Sequence, residues 1–228
     1  MKGTVFLDRD GVICENRPDY VKSWDEFVFL PQTFTALAAL NQAGYRVIVV
    51  TNQSAVGRGL LSPETLHEIH SRMITAIQQH GGHIDRVVHC PHRPDDNCNC
   101  RKPRPGMLLT VAQELGLDLR QAYLIGDAYS DIQAGQAVGC RCSLVLTGRG
   151  QAQLPLALGQ APPYGEYYAT TGFQVAADLN EAVKRILLEP PRKGNGAWLA
   201  DFSPEHVENA VRSTYTGTTC KVVLPVGG

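Results

Sequence analysis

The sequence has no apolar run long enough to cross a bilayer, so no part of it is read as a membrane span. Charge imbalance is almost absent: 21 Lys and Arg stand against 22 Asp and Glu, a formal net charge of −1. That excludes a global basic field for nucleic acid and the strong acidity of a disordered chain. Aromatic residues make up 7%, which gives no support to a stacking groove for single strands. Cysteine does not pair off, because there are 7. Met1-Lys2-Gly3 runs straight into the first predicted strand, so the expectation is a cytoplasmic chain with reduced thiols rather than a disulfide framework. What is present, 43% hydrophobic and 19% charged residues over 228 positions, suits one globular domain of good size, or one domain with an extra part.

The informative stretch is Thr4 to Gly11. Val5-Phe6-Leu7 suits a buried strand of a parallel sheet. It ends in Asp8-Arg9-Asp10-Gly11, and desolvated carboxylates are costly unless paired or holding a metal. Taken alone, Asp-x-Asp-Gly is also an ordinary turn. Further along, Tyr45 to Val50 reads as a second strand ending in Thr51-Asn52-Gln53-Ser54. Ile84 to His89 reads as a third, followed by a Cys/His loop and Arg101-Lys102. Ala122 to Ile125 is a fourth, ending in Gly126-Asp127-Ala128-Tyr129-Ser130-Asp131, and Ser143 to Leu146 a fifth.

Helical patterns lie between the strands. One opens at Pro31 and stops at Gly44. A second is capped by Ser62 with Pro63 at its first position, a third runs from Met107 to Leu115, and a short one leads to Gly139. Ala55 to Leu61 reads as a loop and 151–178 as a long loop with a last strand near Thr171 to Ala176. A final helix covers Leu179 to Leu188. The alternation predicts an α/β, Rossmann-like, doubly wound parallel sheet without a large cap domain. Asp8, Thr51, Lys102 and Asp127 then converge at the carboxyl edge, where such sheets bind ligands. Residues 1–188 read as the domain and 189–228 as a C-terminal extension. That extension carries a helical stretch near Pro204 to Val211 and a strand near Lys221 to Leu224, and its role is a flexible segment, an oligomer contact or a lid. The expected state is a monomer.

At such an edge Asp8 can be a nucleophile and Asp10 a general acid/base. Lys102 and a divalent cation can offset charge, with Asp127 suited to hold the cation and Asp131 a further candidate. Thr51 can hold phosphoryl oxygens. Each residue alone has an ordinary reading (strand end, surface lysine, helix cap), and it is the joint order that points to phosphoryl chemistry.

Asp8-Arg9-Asp10-Gly11, Thr51, Lys102 and Gly126-Asp127-x-x-Ser130-Asp131 resemble the four motifs of the haloacid dehalogenase superfamily of phosphotransferases. The resemblance implies Asp8 as nucleophile, Asp10 as general acid/base, and Mg2+ held by Asp8, the Asp10 carbonyl and Asp127, with Asp131 a further candidate.

A second cluster, Cys90, His92, Cys98 and Cys100, offers three thiolates and an imidazole, a set suited to tetrahedral structural Zn2+. The remaining cysteines, Cys14, Cys140, Cys142 and Cys220, read as small buried hydrophobes. With the zinc loop, the sequence is similar to the zinc-containing branch of the superfamily that includes D-glycero-D-manno-heptose 1,7-bisphosphate 7-phosphatases and histidinol-phosphate phosphatases. Thr51 to Gly59 and Cys100 to Met107 carry the likeness to the heptose enzymes. It implies substrate contacts from Asn16, Asp19, Tyr20, Asn52, Gln53, Ser54, Arg58, Arg101 and Arg104, the arginines fitting a phosphorylated sugar with two phosphates. Two features depart: a short gap before Cys98, as in the histidinol phosphatases, and Ala128 where some heptose enzymes have lysine. A catalytically silent zinc-stabilised binding protein is the reading from another class, and the intact Asp8 and Asp10 speak against it.

Overall fold

The computed structural model describes residues 2–158, 172–189 and 221–223. Six parallel strands, β1 (Gly3–Leu7), β2 (Tyr45–Asn52), β3 (Arg86–Cys90), β4 (Tyr123–Gly126), β5 (Arg141–Val145) and β6 (Phe173–Ala176), form one sheet with β7 (Lys221–Val223). The order is β6-β5-β4-β1-β2-β3-β7. From β1 the chain winds outward through β2 and β3, then returns to lay β4 on the other side of β1. The reversal opens a crevice between the carboxyl ends of β1 and β4, where doubly wound sheets take their ligands.

Strand alternation sorts the core into two layers. Val5, Leu7, Val47, Val49 and Ile125 face one side, against α1 (Thr33–Gln42), α3 (Pro63–Gln79) and α7 (Leu179–Leu188). Phe6, Ile48, Val50, Leu124 and Leu144 face the other, against α4 (Gly106–Leu115), α5 (Tyr129–Gln136) and α6 (Gly150–Ala157). β1 is buried on both faces, which is why its sequence is a continuous apolar run. Cys14, Cys140 and Cys142 are buried, as small hydrophobes would be; Cys220 lies outside the described residues.

Several boundaries differ from expectation. α1 begins at Thr33 rather than Pro31, because the Thr33 hydroxyl donates to the Ile13 carbonyl at 3.1 Å and Gln32 before it is left-handed. The start of the Ala55 to Leu61 stretch, expected as loop, belongs to a short helix, α2 (Ser54–Gly57). α6 occupies part of the stretch read as a long loop. Pro155 inside it argues against a helix locally, and packing of Leu154 into the core overrides that preference. The Ser62 cap is as expected, accepting from the Thr65 amide at 3.0 Å. In the C-terminal stretch β7 pairs antiparallel with β3, Val87 opposite Val223 and His89 opposite Lys221. The helix expected near Pro204 to Val211 lies outside the described residues. Among the described residues, no helix is long and apolar enough to cross a membrane.

Candidate active site

β1 delivers Asp8 into the crevice, its amide donating to the Ile125 carbonyl of β4 at 2.9 Å. The chain must then turn sharply, and Gly11 takes φ +83. A Cβ on Gly11 would lie 2.1 Å from Asp127 Oδ2, so the motif's glycine is what lets Asp127 approach the turn. Asp8, Asp127 and Asp131 are all buried, with candidate ligand oxygens within 4.8 Å of one another.

Lys102 is the one ammonium in contact with this group among the described residues. Its Nζ is 2.7 Å from Asp131 Oδ1 and 3.0 Å from Asp8 Oδ1, and it donates to the Val50 carbonyl at 2.7 Å. Burial works against the charged lysine, but Asp131 and Asp8 outweigh it and raise its pKa. The reach of Lys102 from its loop is set by Asn52, whose side chain donates to the Lys102 carbonyl at 3.0 Å and accepts from its amide at 3.1 Å.

Asp8 is held up to a pKa of about 7, mainly by burial; Lys102 pulls it down while Asp131, Asp127 and Asp10 push it up. Asp127 is also raised by burial, with Arg149 opposing through its side chain and through an amide bond of 2.8 Å to Oδ2. Three buried carboxylates face one buried ammonium and the half-exposed Arg149 guanidinium 3.4 Å from Asp127 Oδ1, so a formal deficit of one positive charge remains when all are ionised. Asp8 Oδ1, apart from the nearby ammonium, has no hydrogen-bond partner. All-oxygen donors with that deficit fit a hard divalent cation. Asp131 has both oxygens engaged, Oδ1 by Lys102 and Oδ2 by the Ala128 amide at 3.0 Å.

The Asp10 carboxylate is held by a different set of partners. It accepts from Arg9 Nη2 at 2.8 Å and Nε at 3.2 Å on Oδ1, and from Gln53 Nε2 at 2.8 Å on Oδ2. Gln53 Nε2 also donates to Thr51 Oγ1 at 2.9 Å. Arg9 is 1% exposed and is held in turn by His70, whose Nε2 lies 3.2 Å from Nη1. A guanidinium only donates, so that nitrogen is the acceptor. Burial, then the Arg9 charge, hold the His70 pKa well below the ordinary value.

The soft-ligand cluster forms as expected. Cys90 Sγ is 3.5 Å from both His92 Nδ1 and Cys98 Sγ, and Cys100 Sγ is 3.3 Å from His92 Nδ1 and 3.6 Å from Cys98 Sγ. Zinc–sulfur bonds of about 2.3 Å in a tetrahedron put sulfurs about 3.8 Å apart, so these edges fit a zinc shell. A hydrogen bond with Cys100 takes the lead in lowering Cys90 to about 5.

Of the nine residues expected to meet substrate, two have protein partners inside the site: Asn52 on the Lys102 backbone and Gln53 between Asp10 and Thr51. Arg101 and Arg104 donate to the zinc-loop carbonyls of His92 (3.2 Å) and Cys98 (2.6 Å). Asp19 pairs with Lys22 at 2.7 Å and with Arg17, and Tyr20 is left-handed at φ 69. Asn16 is half-buried, Ser54 is buried at the start of α2, and Arg58 is exposed. Three participants were missed. Arg9, between two catalytic candidates, read as spacer. His70 looked like one more residue of an amphipathic helix. Arg149 lies three residues past the fifth predicted strand; a Cβ on the preceding Gly148 would lie 2.4 Å from Asp127 Oδ2, a glycine signal of the same kind as Gly11.

An open α/β sheet with paired aspartates after β1 and a buried lysine opposite defines the haloacid dehalogenase class of hydrolases. Residues 28–139 match the family described as haloacid dehalogenase-like hydrolase, and residues 99–182 match the HAD-hydrolase-like family. The chain belongs to the haloacid dehalogenase-like hydrolases. It is 40% identical to the D-glycero-beta-D-manno-heptose-1,7-bisphosphate 7-phosphatase of Bordetella bronchiseptica, over 81% of this chain and 98% of the relative. It is 42% identical to the Pseudomonas aeruginosa protein of the same name, over 65% of this chain and 84% of the relative. The crystal structure of the B. bronchiseptica D,D-heptose 1,7-bisphosphate phosphatase, complexed with magnesium and phosphate, superposes with a TM-score of 0.73 at 39% identity, over 81% of this chain and 98% of that one. The Burkholderia thailandensis counterpart gives 0.62 at 37% identity, over 82% and 100%.

Proposed function

We propose that the chain is a Mg2+-dependent phosphatase that removes the 7-phosphate of D-glycero-D-manno-heptose 1,7-bisphosphate, acting in the cytoplasm and leaving heptose 1-phosphate. The observation that carries this reading is the 40% identity to the B. bronchiseptica enzyme of that name across 98% of its length. Asp8 is the nucleophile. Its attack on phosphorus forms an aspartyl-phosphate and expels the sugar oxygen, which takes the proton of the Asp10 carboxyl group. Asp10, now a carboxylate, accepts a proton from the water that attacks the same phosphorus. The bond to Asp8 then breaks and phosphate leaves. Lys102 offsets the charge of Asp8 and of the transferring group, and Thr51 donates to a phosphoryl oxygen.

Asp8, Asp127 and the Asp10 carbonyl would hold Mg2+, with Asp131 beside them, and the ion would supply the charge compensation that two anions in contact require. Cys90, His92, Cys98 and Cys100 would hold Zn2+ in a structural role, serving the loop that carries Arg101, Lys102 and Arg104. Asn16, Asp19, Tyr20 and Arg58, with Ser54 at the start of α2, are left to meet the sugar and its 1-phosphate. Residues 1–188 are the catalytic domain and 189–228 an extension whose β7 borders β3.

The test is Mg2+-dependent phosphate release from both anomers of the heptose bisphosphate, beside histidinol phosphate and a 3′-phosphorylated oligonucleotide. Selective release from a heptose bisphosphate is expected. Preference for histidinol phosphate, the reading favoured by the short gap before Cys98, would overturn the substrate assignment but not the phosphatase.

A further inference from the structure

We infer that Gln53 is the positioning residue of the general acid/base Asp10 rather than a contact for the sugar; this rests on the phosphatase reading above. Gln53 is 2% exposed, and its amide nitrogen spends both hydrogens inside the protein, one on Asp10 Oδ2 at 2.8 Å and one on Thr51 Oγ1 at 2.9 Å. Because Thr51 Oγ1 accepts from Gln53, its own proton is left to be donated to a phosphoryl oxygen. One side chain therefore sets the direction of the proton-transferring carboxyl and of a phosphoryl donor together.

Asp10 has a second holder in Arg9, and the two differ in kind. Arg9 only donates, so it can serve Asp10 as a carboxylate but offers nothing to its acid proton. The Gln53 amide is neutral and its donor nitrogen is shared with Thr51, so it ties the direction of Asp10 to that of the phosphoryl donor without the preference for the carboxylate form that a full positive charge imposes. The reaction takes Asp10 through both forms, and a neutral holder keeps its direction while leaving the acid proton to the leaving oxygen.

The experiment uses the full-length, zinc-loaded enzyme with Mg2+ and a series of aryl phosphates of graded leaving-group acidity, none of which carries a sugar. Gln53→Met removes the amide at similar length, and Gln53→Asn keeps an amide one carbon too short; the second answers should the first fail to fold. kcat/KM reports phosphoryl transfer to Asp8. For phenyl phosphate, whose leaving group has a pKa of about 10, it should fall on the order of 100-fold, the scale of general acid assistance. For 4-nitrophenyl phosphate, which needs no proton, only the share that passes through Thr51 is lost, and it should fall less than about tenfold. The plot against leaving-group pKa therefore steepens. Parallel plots, or unchanged ones, would overturn the assignment and return Gln53 to a phosphoryl or sugar contact. Absence of turnover by the unsubstituted enzyme on every member would instead overturn the phosphatase reading, and this one with it.

Discussion

Replacing Lys102 by Met tests the charge arithmetic of the site. The ammonium is buried, 3.0 Å from Asp8 and 2.7 Å from Asp131, so its loss leaves two carboxylates without their cation. Unpairing a buried charge costs about 3–5 kcal/mol, consistent with about 5 kcal/mol for one pair at 3 Å and an effective dielectric of 20. The cost depends on pH in a definite sense. The Asp8 pKa is already raised to about 7 in the folded protein with Lys102 opposing the rise, so the variant raises it further. Between the unfolded value of about 3.9 and the folded one, the native state holds a proton that the unfolded chain does not, so stability falls as pH rises. The native protein completes that fall near pH 7 and the variant continues beyond it. Lys102 itself has a folded pKa above its unfolded one, so its contribution is fully present below the unfolded value and is lost only as pH rises through the folded one. Urea unfolding in Mg2+-free buffer without chelator should show a smaller deficit at pH 5, where only the Asp131 pair is missing, and the full about 3–5 kcal/mol at pH 8.5, where the Asp8 pair is missing as well. Added Mg2+ should recover part of it at the higher pH. An equal deficit at both pH values would refute the reasoning.

Asp8→Asn should remove turnover, by at least about 10³-fold, with the circular dichroism spectrum unchanged; residual activity near the native level would eliminate Asp8 as nucleophile. Gly11→Ala places a methyl 2.1 Å from Asp127 Oδ2 at φ +83 and should cost about 1–3 kcal/mol and weaken Mg2+ binding at least about tenfold, as read by calorimetry. Cys100→Ala should lose zinc by elemental analysis, expose 90–107 to limited proteolysis and lower kcat; a zinc-free protein with native activity would remove the structural-zinc assignment. Ser62→Ala deletes only the α3 cap and should cost about 1 kcal/mol in urea with kcat/KM unchanged.

The alternation of apolar runs with helical patterns was enough to read the parallel sheet, since strands buried on both faces, as β1 and β2 are, read as near-continuous apolar runs. Residues that end strands were equally legible: Asp8, Thr51 and Asp127 announce themselves as polar groups where a buried run stops. The side chains that hold them were not. Nothing local distinguishes Arg9 from a spacer or His70 from any residue on a helix, because their partners are 61 positions apart. Asn52 and Gln53 were visible as polar residues beside Thr51, but whether a side chain meets ligand or protein depends on the loop packed opposite, and Lys102 reaches Asn52 across 50 positions. α6 was hidden for another reason: Pro155 speaks against a helix locally, and packing outweighs it.

The division has a physical basis. A carboxylate at a buried strand end needs compensation, so its presence is improbable without chemistry and one sequence suffices to notice it. The groups supplying the compensation are individually ordinary, and become exceptional only when desolvated together. Arg9 would be unremarkable in water. At 1% exposure, with Asp10 and His70 as partners and the Phe27 ring 5.9 Å away, it holds the carboxyl group proposed to move a proton. Opposite it, Lys102 is fixed by Asn52, Val50 and Asp131. The two arms hold Asp10 and Asp8 in separate environments, Asp10 among donors and Asp8 in a desolvated pocket. That separation is what lets neighbouring carboxyl groups take different roles.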